Sequence, residues 1–115
     1  LDILEQAGQD FSRFIWIHAH SEPDMSVHLE AARRGAWIEF DAIGADKWFP
    51  EQAKLVDYTL NLMESGFSEQ ILLSHDAGWY EVGSPNGLPQ PDGVRGYTAY
   101  TQRRIALAGW QCALA

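Results

Sequence analysis

Cysteine is almost absent: Cys112 stands alone in the sequence. An internal disulfide framework is therefore excluded, and a reducing, cytoplasmic setting is the default expectation. Basic residues are also scarce. Eight Lys and Arg stand against sixteen Asp and Glu, a formal charge of −8. Phosphate backbones would be repelled by such a balance, which argues against nucleic acid as a partner. No apolar run approaches the roughly 18 residues that a membrane span needs, and no basic, signal-like segment precedes an apolar one. What the chain does have is core material. Nearly half of it is hydrophobic (46%), with five Trp, so general disorder is excluded. Its 115 residues suffice for one domain with a modest core.

The organising stretch is Ile71-Leu72-Leu73-Ser74-His75-Asp76. An apolar run that ends abruptly in polar, metal-competent groups reads as a buried parallel strand with functional side chains at its carboxyl end. In α/β folds that is the end where sites are built. Phe14-Ile15-Trp16-Ile17-His18-Ala19-His20 has the same form.

Taken in order, Leu1 to Gly8 reads as the last turns of an amphipathic helix closed by a glycine. It has no capping residue before it, so the chain is expected to be a fragment of something longer. A strand over residues 14–20 follows. Asp24 or Ser26 then caps a helix over 25–34, with Met25, Leu29 and Ala32 on its inner face and Gly35 at its end. Residues 36–41 form a third strand-like run in which Glu39 is ambiguous. Pro50 opens a helix over 50–65, whose buried stripe is predicted as Ala53, Val56, Leu60 and Met63, broadened by Leu55, Tyr58 and Leu62. The strand at 71–74 comes next. Residues 78–96 hold five glycines and three prolines, the composition of a long functional or irregular loop. A short last helix from Tyr97 is expected. Strands alternating with helices require parallel, right-handed crossovers. The fold class is therefore α/β, three consecutive βα units in a single segment spanning residues 1–115.

The chemistry concentrates at strand ends. Two histidines two residues apart on a strand share a face, so His18 and His20 form the first half of a divalent-metal site, or one of them is a core histidine bonded to backbone. His75 and Asp76, being adjacent, face opposite ways. Asp76 is the better ligand and proton acceptor. Asp41 either orients a ligand histidine or caps the following loop. Asp24 is read as a helix cap, and Glu22 as a neighbour of the site. Trp79 and Tyr80 pack on substrate or pin the loop. His28, inside a helix, is expected at the solvated surface.

In order and spacing, Arg13-Phe14-Ile15-Trp16-Ile17-His18, Arg34-Gly35, the run Trp37 to Gly44 ending its strand in Asp41, and Ile71 to Asp76 resemble the phosphotriesterase-like family of the amidohydrolase superfamily. The likeness runs over roughly residues 1–97 and corresponds to the last three βα units of a (β/α)8 TIM barrel. The resemblance implies a metal-dependent hydrolase that uses activated water against a phosphotriester, lactone or other ester. It places His18 on the metal-ligand histidine of the sixth strand, with His20 as the alternative. Asp76 falls on the aspartate after the eighth strand, which binds metal and accepts a proton. Asp41 falls on an aspartate ending the seventh strand. The implied cofactor is a divalent metal, zinc first, two per site in the whole fold and at most one here.

The family's remaining ligands have no counterpart in this sequence. A catalytically inactive partial barrel is therefore the rival expectation. Three parallel strands cannot close a barrel, so a homo-oligomer, or association with a missing amino-terminal part, is expected as well.

Overall fold

The sequence's strongest apolar runs become the strands of one sheet. The computed structural model describes residues 1–46, 48–74, 76, 82 and 83. The chain runs through α1 (Asp2–Gln6), β1 (Ile15–Trp16), α2 (Met25–Arg33), β2 (Trp37–Phe40), α3 (Gln52–Glu64) and β3 (Ile71–Leu73), with single 3-10 turns at Phe11–Arg13, Ala19–Ser21 and Ser68–Gln70. The sheet order is β1-β2-β3 and both pairs are parallel, with Ile15 beside Trp37 and Phe40 beside Leu73. The expected α/β class is observed, with the Trp37 strand at the centre of the sheet.

Alternation along β2 sorts its two faces. Ile38 and Phe40 are fully buried beneath the helices, while Trp37 and Glu39 on the other face are half-buried. Asp24 caps α2 by accepting the Ser26 N–H at 2.9 Å, which satisfies one of the orphan donors of the first turn. Gly35, at φ +100, lets the chain reverse into β2 where a side chain would be strained. Gln70 then fastens the turn before β3 to the end of α2. Its amide donates to the carbonyls of Ala32 (2.9 Å) and Ala36 (2.8 Å).

Two helix faces differ from expectation. In α3 the expected flank of the stripe is its centre: Leu55, Tyr58 and Leu62 are buried as expected, joined by Thr59, whereas Ala53 and Leu60 are exposed and Val56 and Met63 half-buried. Both stripes have helical spacing. The sheet selects the one that offers two leucines and a tyrosine, and the Thr59 hydroxyl satisfies itself by donating to the Leu55 carbonyl at 2.7 Å. In α2 the buried set is His28, Ala31 and Ala32, with Met25 exposed and Leu29 half-buried. His28 is not a surface residue. It is 0% exposed, because α2 lies on β2 with that face inward.

At the amino-terminal end Arg34 forms ion pairs with Asp2 (2.9 Å) and Glu5 (3.0 Å) and lies 5.0 Å from the Phe11 ring centroid. It ties α1 to the end of α2. No helix among the described residues is long and apolar enough to cross a membrane.

Candidate functional site

All three parallel strands end at the same edge of the sheet, and each delivers a polar residue there. β1 is shorter than expected and stops at Trp16. His18 then takes a left-handed conformation (φ 55, ψ 31), and Ala19–Ser21 form a 3-10 turn. The two histidines are thus brought together by a turn and not by strand alternation, which corrects the expected origin of their shared face. His18 and Asp76 are the non-glycine residues with positive φ (55 and 36) among those described. Such backbone costs about 1–3 kcal/mol per residue and persists only where the surroundings hold it.

Asp41, at the end of β2, is the hub. Its side chain is 7% exposed, and Oδ2 accepts a hydrogen bond from His18 Nδ1 at 2.7 Å. His20 Nδ1 lies 3.1 Å from Oδ1. That approach is close enough for an ion pair but lacks hydrogen-bond alignment, so both buried atoms stand without a hydrogen-bond partner among the described residues. Ligand-competent atoms of His18, His20 and Asp41 all lie within 4.8 Å of one another. Two nitrogen donors and one oxygen donor suit zinc and similar divalent ions. A cation there would satisfy the orphaned pair, which otherwise costs about 1–3 kcal/mol per group. The residues present therefore fit a divalent metal.

Electrostatics separates the two imidazoles. His18, half exposed, has its pKa raised, first by the hydrogen bond to Asp41 and further by the charges of Asp41, Asp76 and Glu39. His20 has its pKa lowered, because desolvation outweighs the attraction of Asp41. Glu39 sits on the half-buried face of β2, and burial followed by the nearby Asp41 charge pushes its carboxyl up.

A cavity of about 180 Å³ opens over these groups, lined by His18, His20, Asp41, Ala42, Ala45, Trp48, Phe49 and Asp76. Its rim is the loop between β2 and α3. Gln52 staples that loop by donating to the carbonyls of Ala42 (2.9 Å) and Phe49 (2.7 Å) and accepting the Gly44 N–H at 3.0 Å. The Phe49 ring stands edge-on to His20, with centroids 5.0 Å apart. Trp48 and Phe49 were not singled out from sequence. Their only sequence signal is two aromatic residues immediately before Pro50.

Of the expected site residues, His18, His20, Asp41 and Asp76 meet at this cavity, but the cluster within ligand range takes Asp41, expected to orient a histidine or cap a loop, and not Asp76, the expected ligand. Glu22 turns elsewhere: it is not among the cavity's lining residues, and its carboxylate accepts the Asp24 N–H at 2.9 Å. Trp79, Tyr80, His75 and most of the 78–96 loop lie outside the described residues, as does the expected final helix. A larger hollow of about 390 Å³ beside α1 is lined by Phe14, Trp16, Val27 and Arg34 among others, with no histidine in its lining.

Comparison with known proteins gives one consistent result. Residues 1–105 match the model of the phosphotriesterase family. The N-acetyltaurine hydrolase of Dictyostelium discoideum is 29% identical over 86 residues, covering 66% of this chain and 23% of that protein. Among solved structures, a lactonase from Listeria monocytogenes is 30% identical at a TM-score of 0.61, covering 66% of this chain and 23% of its own. An organophosphorus hydrolase from Deinococcus radiodurans is 29% identical at a TM-score of 0.65, covering 81% and 28%. The chain spans about a quarter of the length of the curated relatives it matches. Its three parallel strands are consistent with part of a barrel of that type.

Proposed function

This chain belongs to the phosphotriesterase family of metal-dependent hydrolases, and on that premise we propose that it supplies one side of a hydrolytic metal centre acting on a phosphotriester, lactone or related ester. The observation that carries this reading is the convergence of His18, His20 and Asp41 from the ends of neighbouring strands.

Each residue has a distinct part. Asp41 accepts the Nδ1–H of His18, which fixes that tautomer and leaves Nε2 with its lone pair for a metal. His20, held neutral by burial, is the second nitrogen donor. A divalent metal held by these residues, zinc by donor type, would lower the pKa of water and polarise the bond to be cleaved. Asp76, an exposed carboxylate on the cavity wall, takes the proton released as water attacks. Trp48 and Phe49 offer an apolar wall for the substrate.

A second reading has an observation of its own. The described residues offer one cluster of three donors, enough for a single metal, and the chain spans about a quarter of the curated relatives; on this reading it binds one metal without turnover. Zinc titration by calorimetry, run beside hydrolysis assays on aryl esters, lactones and a chromogenic phosphotriester, separates the two. Binding and turnover that both vanish in His18→Ala support the enzyme. Binding without turnover supports the inactive metal-binding segment.

Self-association belongs to the same proposal. Among the described residues β1 and β3 each pair on one side only, and Ile15 and Ile17 are 48% and 55% exposed beside that free edge. Unpaired strand edges and exposed apolar residues recruit further chains. Light scattering at micromolar concentration should report a mass above the 12.9 kDa of one chain; a monodisperse monomer would remove the idea.

A further inference from the structure

His28 lies on α2, is fully buried, and takes no part in the cavity. Its Nε2 sits 2.9 Å from the carbonyl oxygen of Ala19. A carbonyl only accepts, so Nε2 carries the proton and donates. Nδ1, buried with no hydrogen-bond partner among the described residues, then bears only a lone pair. The ring is packed edge-on against Trp16 (5.5 Å between centroids), Phe40 (5.3 Å) and Tyr58 (5.0 Å).

Packing alone does not call for an imidazole here. An apolar side chain of similar size would fill an aromatic cage without stranding a buried nitrogen. What the imidazole adds is a single donor, bonded to the carbonyl of Ala19, the residue between His18 and His20, with the Glu22 carbonyl a weaker pull in the same turn. The Ala19 carbonyl also accepts the Glu22 N–H at 3.1 Å, closing the 3-10 turn that carries both histidines. The turn begins with His18 in a left-handed conformation, which has to be held by its surroundings. The same ring touches Trp16, where β1 ends just before His18, and Phe40, the residue before Asp41. One side chain thus bears on both arms of the site.

We propose that His28 is a positioning residue for the His18–His20–Asp41 site, its Nε2–H to the Ala19 carbonyl locking the turn in the geometry that aims both imidazoles at Asp41. This rests on the reading of that site as a metal centre, and the test keeps the two apart. His28→Met retains apolar volume without a donor. His28→Gln places an amide N–H near the position of Nε2.

Two quantities are measured on the full chain: hydrogen exchange at the Ser21 and Glu22 amides, which close the turn, and zinc affinity by calorimetry. In His28→Met the two turn amides should exchange at least about tenfold faster while the Leu62 amide in α3 is unchanged. Zinc affinity should fall about 10- to 100-fold, the range for groups that orient metal ligands. His28→Gln should recover both to within about threefold.

Unchanged turn exchange in His28→Met overturns the proposal. So does faster exchange with undiminished zinc affinity, which would make His28 a core residue only. Equal loss in His28→Gln overturns it as well. If the unaltered chain binds no zinc, the metal reading fails, and the exchange data alone decide whether His28 locks the turn. Should His28→Met not fold, His28→Asn replaces it. Its amide falls at the Nδ1 position, short of Ala19, and must show the loss that His28→Gln does not.

Discussion

His18 donates from Nδ1 to Asp41 Oδ2 across 2.7 Å, joining the ends of two adjacent parallel strands by a bond between side chains. Everything proposed for the site depends on that contact, because it orients one imidazole and gives the buried carboxylate of Asp41 a partner.

Asp41→Asn tests it directly. The His18 pKa is raised chiefly by this hydrogen bond, so its titration midpoint, followed by NMR of the ring protons, should move down toward the ordinary value in the variant. A raised histidine pKa contributes stability in full below its unfolded value of 6.5, and that contribution is lost as pH rises through the folded value. An unmoved midpoint would mean that the two side chains are not bonded in solution.

His28 should act in the opposite direction. Burial lowers its pKa, against the pull of the Ala19 carbonyl and the charges of Glu22 and Asp24, and its ring faces Trp16, Phe40 and Tyr58. Below its unfolded pKa of 6.5 the unfolded chain binds the proton more readily, so stability falls as pH drops from 6.5 toward the folded value. Thermal melts between about pH 7.5 and 5 should show this slope. His28→Gln should flatten it in part, the remainder belonging to His20, whose pKa is also lowered by burial. A slope identical in both proteins counts against a buried neutral His28.

The face of α3 is checked by a pair of truncations. Leu62 is fully buried and Leu60 is 38% exposed. Leu62→Ala should cost about 2–5 kcal/mol, and Leu60→Ala under about 1 kcal/mol, in denaturant unfolding. Equal losses would mean that the helix is turned toward the other stripe.

Gly35→Ala isolates backbone strain. An added Cβ would meet Phe11 and Ser12 at 3.6 Å, an ordinary contact, but φ is +100. The expected loss is about 1–2 kcal/mol or more from conformation alone. A neutral or stabilising result would show that the reversal into β2 relaxes easily.

How far the sequence could be read varies by residue. Asp24 was legible as a cap because the cap bond reaches only to Ser26. Asp41 and Asp76 were legible because an apolar run ending in a carboxylate marks a strand end. The origin of the His18–His20 pairing was not, since β1 stops at Trp16 and the chain enters a left-handed turn that remains uncommon for any non-glycine residue, histidine included. Glu22 looked like a site group by proximity alone, and the Asp24 amide, two residues away, claims it.

The amino-acid sequence by itself determined the α/β alternation, the parallel order and the presence of metal-competent groups at strand ends, because these depend on apolar runs, short-range caps and side-chain chemistry. Tertiary structure alone decided which stripe of α3 is buried, that His28 faces inward, and that two imidazoles share one carboxylate. Those outcomes depend on which surfaces meet. Helical stripes one residue apart have the same period, and only the sheet packed against them distinguishes one from the other.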